Sequence, residues 1–590
     1  MVAVRSFLAV SFAPGGTAVA PAPAAVRALG NATVHAADDG WVALGPEDPG
    51  DRVDDQGRGF TVRLGRAART RSGEVSTDGL AALLRDGGNV DGTALAALVP
   101  PFAAAHRSSP AAPIVVATDW LGFRQIFWWQ GDGVAAVSTS ALALRELAGA
   151  PLNLAALGLQ SLVGWQVGLG TVFGDVTKLE AGSLAVLAGG KVSTRRYIQT
   201  SLDLEGATPT IPTAVGEMAE LLEDFQTAYL NDHPTTVLQL TGGQDTRVLL
   251  CAVPAKLRPG LRALTVDVHG GSDARHAAKL SELCGLDHQI YWMDDQDPIT
   301  PAHAWALSLE AAAALDCMAS PLALAPLLLA ESNLEQGHRL SGLGGETCRG
   351  FYYFGQPHHA ATSQKLVHNL ANWRLYANER VLPQALEPDF LTKAQSDALE
   401  LIWAGFDGTS KEWLRAADQF YLYQRMQRWA GAHGSVAATN RFFINPMFDR
   451  RFVQIAHAVS PEDKRGGRLT GQLIERLDPA LAAVPLDSGL IPAKLGQGGL
   501  GTRAAAARVT AGRLARKIRQ RVRGRSKAQL GAGEMAALVV EHWRASPDVL
   551  APLRGNGIVR EAWLDETLAG TAPVPAATVA FVTNLLVASR

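Results

Sequence analysis

Residues 235–247 read Thr-Thr-Val-Leu-Gln-Leu-Thr-Gly-Gly-Gln-Asp-Thr-Arg. A β-branched and apolar stretch runs into two glycines, and helical spacing begins at Thr246 and continues to Ala252. A strand, a glycine turn and a helix in immediate succession suit a sheet with helical crossovers. The flanking segments repeat the alternation. Residues 214–230 have apolar positions at helical spacing, 236–240 and 263–268 read as strands, and Asp273–Cys284 reads as a helix. From residue 213 onward a parallel sheet is expected.

The same turn carries chemistry. Gly242 and Gly243 tolerate backbone dihedrals closed to other residues and let a phosphate approach main-chain N–H groups. A helix opening near Asp245 adds unpaired N–H donors and the positive end of its dipole. Thr241 and Thr246 add hydroxyls. Asp245 suits a phosphate neighbour only with magnesium between them, since that ion takes hard oxygen ligands. No Gly-Lys-Ser/Thr follows, so this is not a Walker A loop. Taken as a bare string, Gly-Gly-x-Asp is also an ordinary turn.

The 590 residues are too many for one core, and two or more domains are expected. The first 200 or so residues read as short strands and turns. Phe7–Phe12 reads as a buried strand rather than the core of a signal peptide, because Pro14, Gly15 and Gly16 cut the apolar run short. Ile114–Thr118 is β-branched, residues 125–130 are aromatic, 135–138 read as a strand, and 54–59 form a polar loop. Residues 204–209 read as a linker.

A net charge of -2 gives no reason to expect nucleic acid or an anionic membrane as partner, and no stretch has the apolar length of a span. Cys251, Cys284, Cys317 and Cys348 match neither a disulfide framework nor a zinc motif, which fits a reducing cytoplasm. A basic run from Arg503 to Lys527 reads as a solvated helix or mobile segment, with docking of an acidic partner as the other reading. Trp413, Phe420, Tyr421, Tyr423 and Trp429 share a predicted helix and read as core.

Thr241-Gly242-Gly243-Gln244-Asp245-Thr246 resembles the pyrophosphate-binding loop of the asparagine synthetase family, Ser-Gly-Gly-x-Asp-Ser, with both serines replaced by threonine. Further segments resemble that family in order. They are Thr265-Val266-Asp267-Val268 with Ser272-Asp273; Ser341-Gly342-Leu343-Gly344-Gly345-Glu346 with Gly350-Phe351-Tyr352; Asn445-Pro446-Met447-Phe448-Asp449 with Ser460 to Lys464; and residues 485–494. Thr118 to Gly122, Pro151 to Leu154 and Thr171 to Gly182 resemble the family's amidohydrolase domain.

The resemblance implies an α/β protein. Residues 1–205 would be an N-terminal-nucleophile (Ntn) hydrolase-like αββα sandwich. Residues 212–590 would be a parallel-sheet domain with many helices, of the adenine nucleotide alpha hydrolase-like (PP-loop) kind. ATP and Mg2+ are the implied cofactors. Leu240, Thr241, Gly242, Gly243, Asp245, Thr246, Val266 and Gly342 would bind ATP, and Asp245 and Glu346 the metal. Lys494 is the implied catalytic lysine, and Arg247 is read as facing phosphate or substrate. The implied reaction adenylates a small-molecule or peptide carboxylate and joins it to ammonia or an amine. A homodimer is admitted; no specific nucleic acid or membrane is expected.

Three departures sharpen this expectation. Glutamine-using members begin with a cysteine, but here Val2 follows Met1 and no cysteine precedes Cys251, so glutamine hydrolysis is not expected. β-Lactam synthetase and lasso-peptide cyclases share that loss, which keeps a ring-closing ligase and an inactive scaffold as alternatives. Leu343 stands where the family has a proton acceptor, and leucine accepts none; Tyr352, Tyr353, His358 and His359 lie just downstream. Glu346 replaces an aspartate and keeps the carboxylate one methylene further out.

Overall fold

The computed structural model describes residues 6–15, 19–30, 32–45, 59–64, 68–85, 90–204, 208–295, 297–334, 337–377, 379–440, 443–497 and 531–590. The basic run 503–527, most of the polar loop at 54–59 and the middle of the linker at 204–209 lie outside them.

The molecule is mixed α/β, with two antiparallel sheets, one parallel sheet and many helices. The first antiparallel sheet uses β1 (Phe7–Phe12), β2 (Thr33–Ala37), β3 (Gly40–Leu44), β7 (Phe127–Gln130), β8 (Val134–Ser138) and β9 (Thr177–Lys178), in the order β2-β3-β1-β8-β7-β9. The second uses β4 (Phe60–Arg63), β5 (Ala103–Arg107), β6 (Ile114–Thr118), β10 (Ser183–Ala188) and β11 (Lys191–Arg196), in the order β11-β10-β6-β5-β4.

Period-two alternation sorts their side chains. Phe7 and Ala9 of β1 face Ala103, Ala105, Ile114, Val116, Ala185 and Leu187 of the other sheet. Leu8, Val10 and Phe12 point the opposite way, into a cluster with the helix Ala141–Ala148. The outer face of the second sheet is covered by the helices Thr77–Leu84 and Gly92–Ala96 through Leu80, Leu84 and Leu95. The layers are therefore helix, sheet, sheet, helix. Phe7–Phe12 is paired on both edges, with β3 and β8, as the strand reading expects.

The parallel sheet has the order β14-β13-β12-β15-β16, from β12 (Val237–Gln239), β13 (Arg262–Asp267), β14 (Asp287–Trp292), β15 (Arg339–Leu340) and β16 (Phe443–Ile444). The chain builds outward from β12 to β13 and β14, then returns to β15 on the other side. Strand order thus reverses between β12 and β15, and the loops leaving their carboxyl ends diverge. In open parallel sheets that crevice is where ligands bind.

The two halves are locked together. The buried Trp120 Nε1 donates to the Phe448 carbonyl at 3.1 Å, and the rings of Phe123 and Phe448 are 5.1 Å apart. Arg69 is fully buried, lies over the Tyr229 ring at 5.0 Å and pairs with Asp232 at 2.8 Å. The C-terminal helices Ala532–Ala545 and Ala576–Ala588 join Pro301–Ala314 and Pro321–Ser332 in the apolar cluster that also takes in β1. No described helix is long and apolar enough to cross a membrane, and all four cysteines are buried and unpaired with one another.

Candidate active site

The site is built where β12 and β15 end. β12 runs through Leu240 into Thr241-Gly242-Gly243, and the helix Gln244–Ala252 starts there. β15 runs into Ser341 to Gly344, then a short 3-10 turn, Gly345–Cys348. The two turns are pressed together, and glycine permits it. A methyl group at Gly342 would lie 2.8 Å from the Thr246 nitrogen. One at Gly345 would lie 2.5 Å from Asp245 Oδ1. Real β-carbons do not come that close, so these positions seat Asp245 against the second turn.

Asp245 and Glu346 are thereby neighbours. Their side chains are 18% and 19% exposed. Arg349 serves both, at 2.5 Å from Asp245 Oδ2 and 3.6 Å from Glu346 Oε1. Asp245 Oδ1 and Glu346 Oε2 are buried and accept no hydrogen bond among the described residues. Burial and the Glu346 charge push the Asp245 carboxyl upward, against the pull of Arg349. Two carboxylates with unfilled oxygens are a donor set that fits magnesium, which commonly takes one or two carboxylates and completes its shell with water and phosphate.

The glycine turn satisfies its own donors. Gly242 N–H donates to Asp273 Oδ1 at 2.9 Å, and Gly243 N–H to Thr241 Oγ1 at 3.2 Å. The hydroxyls of Thr241 and Thr246 share a hydrogen bond of 3.0 Å. A phosphate on this turn must take the Gly242 N–H from Asp273. The segment after Val484 closes over the turn, with Asp487 N–H donating to the Gly242 carbonyl at 3.0 Å.

Val266, Lys494 and Arg247 lie outside the two turns. Val266 lies in the last turn-ward part of β13, beside β12, partly buried against Val237 and Leu264. Lys494 sits exposed on the short helix Pro492–Gln497, which packs on Arg468–Leu477. Arg247 does not face the turn. It is 0% exposed, and its guanidinium donates to the carbonyls of Leu481, Val484 and Pro485 at 3.0, 3.0 and 3.2 Å. Its place, one turn into a buried helix, sends the long side chain into the 481–485 loop rather than toward a phosphate.

Leu343 is half-buried against a cluster containing Tyr352, Tyr353, Phe420 and Tyr421. Tyr353 donates to Asp418 at 2.6 Å, and His358 and His359 lie near Glu462 at 3.6 and 3.5 Å, so each of these three side chains has a carboxylate for a neighbour. Trp413, Phe420 and Tyr421 are core, as expected, while Tyr423 and Trp429 are half-buried. Sequence reading missed Arg349, Asp273, Asp487 and Tyr421 as members of the site. Only Arg349 left a signal, a cation one helical turn past Glu346.

A cleft of about 910 Å³ lies elsewhere. Gln166, Arg196, Gln199, Gln424 and His457 are among its lining, and neither glycine turn contributes. The unfilled carboxylate oxygens mark the chemistry better than the size of that cleft does.

No family model matches the chain, and no curated protein matches it. Among solved structures it is similar to a glutamine phosphoribosylpyrophosphate amidotransferase from B. subtilis complexed with ADP and GMP. The identity is 11% and the TM-score 0.23, over 48% of this chain and 80% of that one. A structure described as the allosteric regulatory enzyme of purine biosynthesis matches at 11% identity and a TM-score of 0.21, over 49% of this chain and 75% of that one. Likenesses this slight assign nothing.

Proposed function

We propose that the chain is an ATP-dependent carbon–nitrogen ligase that adenylates a carboxylate, releases pyrophosphate and forms an amide with ammonia or an amine, without hydrolysing glutamine. The observation that supports it most is the meeting of Asp245 and Glu346 at the strand-order reversal, each with a buried oxygen unfilled. On this reading residues 1–205 are a degenerate Ntn-hydrolase-like domain and 212–590 a PP-loop domain, in a cytoplasmic protein.

A carboxylate oxygen of the acid attacks the α-phosphorus of ATP, and the bond to the bridging oxygen of the β-phosphate breaks. The Gly242 and Gly243 N–H groups and the hydroxyls of Thr241 and Thr246 hold the departing pyrophosphate. Asp245 and Glu346 would hold magnesium, which neutralises charge on the phosphates when bound. Lys494 is assigned to the adenylate's charge. The nitrogen nucleophile then attacks the acyl carbon, gives up a proton, and AMP leaves. Leu343 takes no part in that proton transfer.

The self-satisfied turn favours a second reading, an inactive scaffold that binds no nucleotide. Acid-dependent exchange of labelled pyrophosphate into ATP separates the two. Exchange that Asp245→Ala abolishes supports the ligase; no nucleotide binding by calorimetry, with or without magnesium, overturns it.

A further inference from the structure

Away from the glycine turns, three separate segments meet at one small cavity. The helix Leu154–Val163 ends at Gly164, which is left-handed at φ 82°. The Glu379 side chain packs against that glycine, and Val381 N–H donates to the Ser161 carbonyl at 2.8 Å. The C-terminal helix Ala576–Ala588 joins them, with Leu382 N–H donating to Thr578 Oγ1 at 3.0 Å. The cavity, of about 20 Å³, has Gln160, Gly164, Ser320, Glu379 and Asn584 in its lining. That is room for one occupant the size of a water molecule.

The lining is rich in acceptors. Asn584 is 2% exposed and gives its Nδ2 to the Ala319 carbonyl at 2.8 Å, which fixes which end of the amide is oxygen. Gln160 is held in the same way, through Nε2 to the Cys317 carbonyl at 2.8 Å. Asn584 Oδ1 and Glu379 Oε2 are buried and accept no hydrogen bond among the described residues. Ser320 adds a hydroxyl oxygen that can ligate. The carboxylate also sits at the carbonyl end of a helix, where the dipole is negative. Arg425 attracts it, but from beyond ion-pair distance. A water molecule could bond to both oxygens, yet it would leave the buried charge unbalanced. One carboxylate with neutral oxygens suits a single positive charge; a divalent ion commonly takes more anionic ligands. No group of three His, Cys, Asp or Glu among the described residues could hold such an ion.

We propose that this cavity binds one monovalent alkali cation, Na+ or K+, ligated by Glu379 Oε2 and Asn584 Oδ1. The ion fastens the end of the helix Leu154–Val163 to the C-terminal helix through the loop at 379–382. The site lies apart from the two glycine turns and does not depend on the ligase reading.

Sodium-23 relaxation on the full chain tests binding directly. The expected result is a saturable excess relaxation that K+ displaces, and that Glu379→Gln and Asn584→Leu each remove. Hydrogen exchange reads the fastening. It is compared in the chlorides of Na+, K+ and tetramethylammonium at equal ionic strength and about pH 8, where the carboxyl is ionised. At an alkali concentration roughly ten times its Kd, the Val381 and Leu382 N–H groups should exchange about 10-fold more slowly than in tetramethylammonium. The two variants should lose that difference, and the Na+ and K+ arms identify the preferred ion. Proton and cation compete for Glu379, so its pH titration belongs in tetramethylammonium buffer. Equal exchange in all three salts would overturn the proposal and leave a water molecule as the occupant. So would sodium-23 relaxation that K+ does not displace, or that both variants retain.

Discussion

Arg349 reaches Asp245 Oδ2 at 2.5 Å and Glu346 Oε1 at 3.6 Å, so one guanidinium holds two carboxylates 101 residues apart in the chain. The other oxygen of each has no hydrogen-bond partner among the described residues. Arg349 therefore supplies part of the charge balance before any metal arrives, and orients the acceptors that a metal would use. Removing it leaves two neighbouring anions unopposed. Arg349→Leu is expected to lower stability by about 1–3 kcal/mol. Glu346→Gln in the same chain should recover part of that loss, because it removes one of the anions. A double-mutant cycle by urea denaturation measures the coupling. Strictly additive effects would mean that the three groups do not act as a unit.

Gly345 tests whether the two turns must touch. A side-chain carbon there would fall 2.5 Å from Asp245 Oδ1. Gly345→Ala is expected to displace the carboxylate, cost about 1–3 kcal/mol as an overpacked site does, and reduce pyrophosphate exchange more than it reduces folding. Gly355→Ala makes a useful contrast. It has open space around it but a φ of 73°, so it should show backbone strain alone and keep exchange.

Strong local signals made much of this legible. The helix Asp273–Cys284 has the bounds its spacing predicts, because an acidic residue opens it and Gly285, at φ 66°, closes it in the left-handed conformation. Phe7–Phe12 is equally well marked by its continuous apolar run. By contrast β15 and β16 have two residues each, too few for any periodicity to register. The stretch Tyr421–Ala430 is π-helical, and over so short a run its aromatic spacing is indistinguishable from that of an α-helix. Asp245 and Glu346 were visible as carboxylates in glycine-rich turns. Asp273, as acceptor of the Gly242 N–H, was not, because only the approach of one helix to another strand's turn brings them together.

Arg247 makes a sharp test of position against residue type. Its donors hold three carbonyls of the segment that packs over Gly242. Arg247→Met keeps the stem and removes the charge, leaving those carbonyls unpaired. The expected result is a loss of about 2–4 kcal/mol in stability, with faster proteolysis near residues 481–490. Nucleotide affinity should fall only as far as that loop loosens. Unchanged stability together with abolished ATP binding would place the guanidinium at the phosphate after all.

Glu379 ties stability to pH. Its Oε2 has no hydrogen-bond partner among the described residues and lies against Gly164, where an added methyl group would come within 2.2 Å of it. Burial pushes its carboxyl from 4.5 up to about 7, although Arg425 pulls the other way. The unfolded chain ionises this group near its ordinary value, whereas the folded chain keeps the proton until about pH 7. Between those limits the folded state binds more protons, so stability falls as pH rises through the window and levels off above it. Glutamine cannot ionise and removes that slope. Glu379→Gln should therefore gain about 1–3 kcal/mol relative to the unsubstituted chain on going from acid to about pH 8. Urea midpoints for both proteins across that range measure the difference, in which the other titrating groups cancel. Parallel curves would show that Glu379 is ionised in the folded protein, with Arg425 as its counter-ion.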